Sequence, residues 1–82
     1  MIYLKTKNSL INMNNASLDI VEDTVGNVTI FAYVSGGKIE IFNGANLTVM
    51  RRIFNDIVDQ INAQSLYEGI RIIDISDLAT KY

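Results

Sequence analysis

Residues 28–42 read VTIFAYVSGGKIEIF, and this stretch decides the fold. Apolar side chains alternate with a period of two on both sides of Gly36-Gly37, which is typical of two half-buried strands joined by a tight turn. A two-residue turn at the glycines pairs Ala32 with Ile41. The aliphatic side chains of both strands then share one face, so the sequence predicts a β-hairpin with a buried face and an outer face.

The outer face of this hairpin carries three aromatic rings. The same register sets Phe31 opposite Phe42 and Tyr33 opposite Glu40. Three interpretations stay open: the rings form the core of a small closed barrel, they contact a partner protein, or they stack bases of single-stranded nucleic acid. The neighbouring Glu40 and the acidic composition disfavour the third interpretation.

The segment before the hairpin extends it into a meander. The aliphatic side chains of 16–22 and 28–34 share a face when the loop between them has an odd number of residues, for example Asp23–Asn27. An alternating segment at 2–6 and a shorter one at 9–12 precede them, joined by a turn at Lys7-Asn8-Ser9. The predicted strands are therefore 2–6, 9–12, 16–22, 28–34 and 38–42.

One amphipathic helix follows the meander. Asn46 is a suitable N-cap, and the chain then runs from 47 to about 63 without Gly or Pro. The apolar side chains of this segment recur at helical spacing and form one stripe, which predicts packing on a sheet. The stripe comprises Leu47, Met50, Ile53, Phe54, Ile57, Val58 and Ile61, whereas Val49 falls on the polar side.

A last strand is predicted at 70–75, with a polar tail at 76–82. Isoleucines occur on both faces of this strand, at positions 70, 72, 73 and 75, which favours burial on both sides. The strand pairs either with 2–6 or with a neighbouring subunit. Together these elements predict one α+β domain over residues 1–82, in which an antiparallel meander of four or five short strands is packed by one helix and followed by a C-terminal strand.

This layout resembles small β-meander-plus-helix proteins of Gram-positive bacteria and their phages, including the FlbD-type flagellar proteins. The likeness lies in the first strand with Asn8 after it, in Ile20-Val21-Glu22, in Gly37-Lys38 and in the helix. The longer Asp23–Asn27 loop and the strand at 70–75 depart from the pattern. The resemblance implies the fold and a role through protein contacts, with no catalytic signature.

The composition excludes several kinds of chemistry. The 82 residues include no Cys and no His, so disulfides, zinc sites and the usual nucleophilic triads are not expected. No loop supplies the spaced oxygen ligands of a calcium site, and Ser35-Gly36-Gly37-Lys38 lacks the helix that a phosphate-binding loop requires. We therefore expect no enzyme activity, no catalytic, cofactor-binding or metal-binding residues, and no cofactor.

The charge balance bears on partners and location. With seven basic and nine acidic residues the net charge is −2, which gives no electrostatic footprint for nucleic acid. No apolar run approaches the length of a membrane span and the first residues do not read as a secretory signal, so we expect a cytoplasmic protein that binds neither membrane nor nucleic acid. A candidate acidic face comprises Asp19, Glu22, Asp23, Asp56 and Asp59.

These observations favour a non-enzymatic protein–protein interaction module that forms a homo-oligomer, most simply a dimer. A more specific hypothesis is a phage or mobile-element accessory protein that inhibits a host protein by occupying its surface. The alternative is a small-molecule binder or minor enzyme with a site shared between subunits. The candidate interface residues are Phe31, Tyr33, Phe42, Ile70, Ile72, Ile73 and Ile75.

Overall fold

The structure is a computed structural model that describes residues 1–78. Within them it contains six strands, one short 3-10 helix and one α-helix. In chain order these are β1 (Ile2–Lys5), β2 (Leu10–Asn12), the 3-10 helix (Met13–Asn15), β3 (Ser17–Glu22), β4 (Val28–Val34), β5 (Gly37–Gly44), α1 (Leu47–Gln64) and β6 (Arg71–Asp74).

The six strands form two three-stranded sheets that share the helix, which confirms the predicted α+β class. The meander sheet has the order β3-β4-β5 and is antiparallel throughout. The terminal sheet has the order β2-β1-β6, with β1 antiparallel to β2 and parallel to β6. The first two strands therefore leave the meander and pair with the last strand, and the described strands do not form one closed barrel.

The β3–β4 hairpin has the predicted register. Glu22 lies opposite Val28 and Ile20 opposite Ile30, so the loop contains five residues, Asp23–Asn27. The Asp23 carboxylate accepts hydrogen bonds from the backbone N–H groups of Val25 and Asn27, each at 2.9 Å. This side chain therefore closes the loop in the way that Asp commonly does in turns.

The register predicted for the β4–β5 hairpin is wrong. The turn consists of Ser35 and Gly36, with Gly36 at a positive φ of 91°, and Ala32 lies opposite Ile39 rather than Ile41. A β-bulge opposite Ile30 and Phe31 then shifts the pairing by one residue. The extra residue in β5 reverses the face on which the following side chains of that strand lie.

The bulge corrects the predicted environment of Phe42. Phe31 lies opposite Glu40, and Phe42 lies opposite the buried Ile30 and packs against the core. Phe42 therefore does not join Phe31 on the outer face, and Tyr33 lies opposite Lys38 instead of Glu40.

The helix packs as its sequence predicts. The Asn46 side chain accepts a hydrogen bond from Val49 N–H at 3.1 Å and so caps the first turn. Met50, Ile53 and Ile57 are buried, and the rest of the stripe is half-buried. Val49 also packs against the core, although its position on the helical wheel placed it on the polar side.

The core joins both sheets and the helix in one cluster. Its buried members are Leu4, Ile11, Val28, Ile30, Ala32, Met50, Ile53, Ile57, Ile73, Ile75 and Leu78.

The last strand is buried on one face alone, which corrects the prediction of burial on both sides. Ile73 and Ile75 lie in the core, whereas Ile70 is 70% exposed and Ile72 is 58% exposed, because nothing in the described chain covers the outer face of β6. The segment after β6 is not wholly a polar tail, since Leu78 N–H donates to the Ile75 carbonyl and the Leu78 side chain is buried. The remaining tail positions, 79–82, lie outside the described residues.

Candidate interaction surfaces

The largest concentration of exposed apolar side chains lies at one end of the terminal sheet. Of the eight large apolar side chains that are exposed among residues 1–78, five belong to β6, to the segment before it and to Met1 beside it. We call this set the β6 patch. It comprises Met1, Leu66, Tyr67, Ile70 and Ile72.

Backbone pairing holds the β6 patch together. Arg71 N–H donates to the Met1 carbonyl at 2.9 Å, and the Met1 amine donates to the Gly69 carbonyl at 3.0 Å. Gly69 has a positive φ of 86°, a conformation that glycine adopts readily and that turns the chain into β6. These bonds fix Met1 against the start of β6, so the patch is built on a hydrogen-bonded frame rather than on a loose loop.

Side-chain contacts order the same region. Tyr3 lies opposite Ile72 in the β1–β6 pair, and its hydroxyl donates to the Met1 sulfur at 3.0 Å. The Arg71 guanidinium lies 4.6 Å from the centre of the Tyr67 ring, a cation–π arrangement. Arg71 Nε is buried and has no hydrogen-bond partner within the described part of the chain. Tyr3 and Met1 therefore form an ordered contact beside Ile72, whereas Arg71 and Tyr67 contact each other at the start of β6.

A polar border limits the patch along the strands. Lys5 and Asp74 lie opposite each other beyond the Tyr3–Ile72 pair and form an ion pair with an Nζ–Oδ2 distance of 3.7 Å. Asp74 also accepts hydrogen bonds from Ser76 Oγ at 2.6 Å and from Ser76 N–H at 2.9 Å. The Ser76 hydrogen bonds and, to a lesser extent, the Lys5 ammonium lower the pKa of the Asp74 carboxyl below its usual value of 3.8.

The outer face of the meander sheet holds the other predicted interface residues. Phe31 and Tyr33 are half-buried there, with ring centroids 6.2 Å apart. The Lys38 ammonium lies 4.4 Å from the centre of the Phe31 ring and covers it in part. This aromatic pair is therefore less accessible than the β6 patch and lies on the other sheet.

The structure divides the predicted interface set into three environments. Phe31 and Tyr33 lie on the outer face of the meander sheet, Ile70 and Ile72 lie in the β6 patch, and the other three are core residues or pack against the core. These three are Phe42, Ile73 and Ile75. Sequence reasoning missed Leu66 and Tyr67, although two large apolar side chains in a loop before a strand were a signal for them.

The candidate acidic residues do not converge on one face. Asp19 lies opposite Phe31 and shares the outer face of the meander sheet, whereas α1 packs on the inner face of that sheet. Asp56 and Asp59 line a shallow depression on the outward side of α1, together with Arg52 and Asn55. Asp23 closes its own loop and Glu22 ends β3, so the negative charge is distributed around the molecule.

A cleft of about 370 Å³ separates the β1–β2 turn from β5. The turn is ordered by the Thr6 hydroxyl, whose oxygen accepts hydrogen bonds from Asn8 N–H at 3.3 Å and Ser9 N–H at 3.0 Å. The lining mixes amides, hydroxyls, one base, one acid and apolar side chains. It comprises Thr6, Lys7, Asn8, Ser9, Glu40, Ile41, Phe42, Asn43, Ile75 and Ser76.

The chemistry available in this cleft is limited to hydrogen bonding and charge contacts. It contains no nucleophile paired with a base, and the pKa shift resolved in the described chain belongs to Asp74, which does not line the cleft.

Within residues 1–78 no group of three or more potential ligands could hold a metal ion. In the same residues no helix has the length and apolar character that crossing a membrane requires.

Comparisons with known proteins add no relative. The chain matches no protein-family model, and neither a curated protein nor a solved structure is significantly similar to it. The resemblance to the FlbD-type pattern therefore stays a prediction. The surfaces themselves are the basis for the function proposed below.

Proposed function

We propose that this protein is a non-enzymatic protein–protein interaction module that self-associates as a homodimer through the β6 patch. The observation that carries the proposal is the concentration of five exposed large apolar side chains, with Ile72 on a strand at the edge of a sheet and Ile70 directly before that strand. Contiguous exposed apolar surface that is bordered by polar groups commonly marks a protein contact site. A twofold homodimer is the most frequent closed assembly that such a surface forms.

A more specific form of the proposal gives the protein a role toward a host protein. A small acidic accessory protein of a phage or mobile element can act by occupying a surface of its target, and an acidic protein suits a basic target. The net charge of −2 and the carboxylates of Asp56 and Asp59 on the outward side of α1 support this form. The helix surface would then meet the target while the β6 patch joins two copies.

Sedimentation equilibrium across about 1–100 µM tests the self-association. We expect the 9.2 kDa chain to sediment as a dimer at the upper end of this range. Ile70→Glu places a negative charge in the patch and should raise the dissociation constant about tenfold or more. The matched control is Val25→Glu, at a similarly exposed position in the β3–β4 loop. A wild-type chain that stays monomeric at tens of micromolar would contradict the proposal.

The cleft favours a second candidate function, a small-molecule binder whose site lies between the β1–β2 turn and β5. Convergent amides and hydroxyls over the apolar Phe42 side chain are typical of sites that orient a small polar ligand. A screen of small polar compounds by NMR tests it. Saturable shift changes at Asn8 and Asn43 would support it, and their absence across the screen would leave the interaction module as the function.

A further inference from the structure

We infer that β6 pairs with β6 of a second copy in an antiparallel arrangement, so that two terminal sheets join into one continuous six-stranded sheet. The inference rests on the proposed function and deepens it, because it names the partner and the mode of contact.

The free edges of the two sheets differ in how they are protected. The edge strand β3 carries Asp19 and Glu22, and β5 carries Lys38, Glu40 and the bulge. Charged side chains and bulges are devices that prevent an edge strand from pairing with another chain. Strand β2 has three residues and ends in the 3-10 helix, so it offers little length.

On the outer face, these devices are absent from the residue before β6 and from the strand as far as Ile72. The side chains of Ile70 and Ile72 are uncharged, apolar and exposed, and the β1–β6 pairing is regular. No other strand within residues 1–78 pairs with the second edge of β6. Among the four edges, β6 is therefore the one whose chemistry favours the addition of a strand.

The backbone of β6 directs unused groups to that edge. Arg71 N–H donates to the Met1 carbonyl and Ile75 N–H donates to the Lys5 carbonyl, so the odd-numbered residues face β1. Because successive residues of a strand direct their backbone groups to opposite sides, those of Ile70, Ile72 and Asp74 face the free edge. An antiparallel second copy completes this ladder when its own even-numbered residues lie opposite Ile70, Ile72 and Asp74.

A second copy meets this condition with Ile72 on the twofold axis. Ile72 then lies opposite Ile72 of the second copy, and Ile70 lies opposite Asp74 of the second copy. Ile70 and Ile72 of both copies form one apolar cluster on the outer face of the joined sheet. The charge of Asp74 is already compensated by Lys5 and by the Ser76 hydrogen bonds, so it does not enter the contact unpaired.

The charge pattern separates this register from the next possible one. A twofold axis at Arg71 would also set even-numbered residues opposite even-numbered residues. It would, however, place the two Arg71 residues directly opposite each other. Like charges in such a cross-strand pair are destabilising. With the axis at Ile72, Arg71 lies opposite the apolar Ile73 of the second copy and keeps its contact with Tyr67.

The size of the chain sets the area that such a dimer must bury. A standard interface buries about 800 Å² per partner, which is about 15% of the 5351 Å² surface of this chain. Ile70 is 70% exposed and Ile72 is 58% exposed, so the paired strands supply the apolar centre of this contact.

The absence of cysteine permits a direct test by disulfide crosslinking. Ile72→Cys introduces the sole thiol, and a residue on a twofold axis can form a disulfide with its own counterpart because the two Cα atoms lie about 5.5 Å apart. Under mild oxidation at tens of micromolar we expect most of this variant to become a covalent dimer. Val25→Cys, at an exposed position in the β3–β4 loop, should crosslink at least about tenfold more slowly.

Amide hydrogen exchange of the wild-type chain gives a second readout without substitution. The Ile72 amide should exchange about tenfold more slowly at 500 µM than at 5 µM, because only the dimer pairs it. The Arg71 amide, already bonded to Met1, should change much less. This inference alone would be overturned by the following combination: the wild type sediments as a dimer, Ile72→Cys crosslinks no faster than Val25→Cys, and the Ile72 amide exchanges equally fast at both concentrations. A wild-type monomer would overturn the proposed self-association as well.

Discussion

Phe42 lies directly opposite Ile30 across β4 and β5, one residue out of step with the Ala32–Ile39 pair on the same strands. The bulge between these two pairs moves Phe42 from the outer face of the meander sheet to the side of the core, where it packs against buried residues. Phe31, by contrast, stays on the outer face beneath Lys38. The two phenylalanines therefore have different energetic roles.

Truncation of the two rings should separate these roles. Phe42→Ala removes a side chain that fills space beside Ile30 and should lower the free energy of unfolding by about 3 kcal/mol. Phe31→Ala is the matched control and should cost about 1 kcal/mol, since its ring lies on the outer face and does not pack against the core. Urea unfolding followed by circular dichroism measures both values. Equal costs for the two variants would contradict the bulged β4–β5 register.

The sequence predicted one hairpin register correctly and the other wrongly. The β3–β4 register follows from two alternating segments and an odd loop, and Glu22 indeed lies opposite Val28. The Gly36-Gly37 pair allows more than one turn, and alternation alone does not locate a bulge, so the β4–β5 register was wrong. Pairing of the last strand with 2–6 was one of two predicted alternatives, and β6 does pair with β1. Short apolar runs did not decide between them, because the two segments lie far apart in the chain.

The candidate surfaces, like the strand pairings, were predicted in part. Ile70 and Ile72 were identified from their apolar character, but their exposure depends on which face of β6 the rest of the chain covers. Met1 joins them through backbone hydrogen bonds to Gly69 and Arg71 that no periodicity indicates. Apolar pattern therefore locates candidate residues, whereas sheet pairing decides which of them form a surface.

The helix stripe provides most of the packing between α1 and the sheets. Ile57 is fully buried and Phe54 is half-buried, so Ile57→Ala and Phe54→Ala should each lower the free energy of unfolding by about 2–5 kcal/mol. This is a large part of the 5–15 kcal/mol that is typical of small domains. Thermal melting measures the loss, with the exposed Asn55→Ala on the same helix as control. Normal melting of both stripe variants would contradict the packing.

Nucleic acid should not bind this protein. The basic side chains are few and the carboxylates are distributed around the molecule, so residues 1–78 present no continuous positive surface for a phosphate backbone. In a mobility-shift assay at about 50 mM salt, micromolar protein should leave single-stranded DNA and RNA unshifted. A shift that weakens with added salt and is lost in Phe31→Ala would instead identify the outer face of the meander sheet as a stacking surface.

Asp74 should make the fold sensitive to acid through its contacts with Ser76. The pKa of Asp74 is lowered in the folded chain, so the fold favours the carboxylate form. Its contribution to stability is present above the unfolded value of about 3.9 and is lost as the pH falls through the lower, folded pKa. Ser76→Ala removes the hydroxyl donor and should raise the pKa of Asp74 toward 3.8.

Two measurements check this dependence. NMR titration of the Asp74 carboxyl carbon should give a higher midpoint in Ser76→Ala than in the wild type, whereas Ser35→Ala, in the exposed β4–β5 turn, should leave it unchanged. The melting temperature of Ser76→Ala should lie below that of the wild type near pH 6, and the gap should close at pH values below the folded pKa, where both carboxyls are protonated. A gap that persists at that acidity would show that Ser76 stabilises the turn without acting through the charge of Asp74.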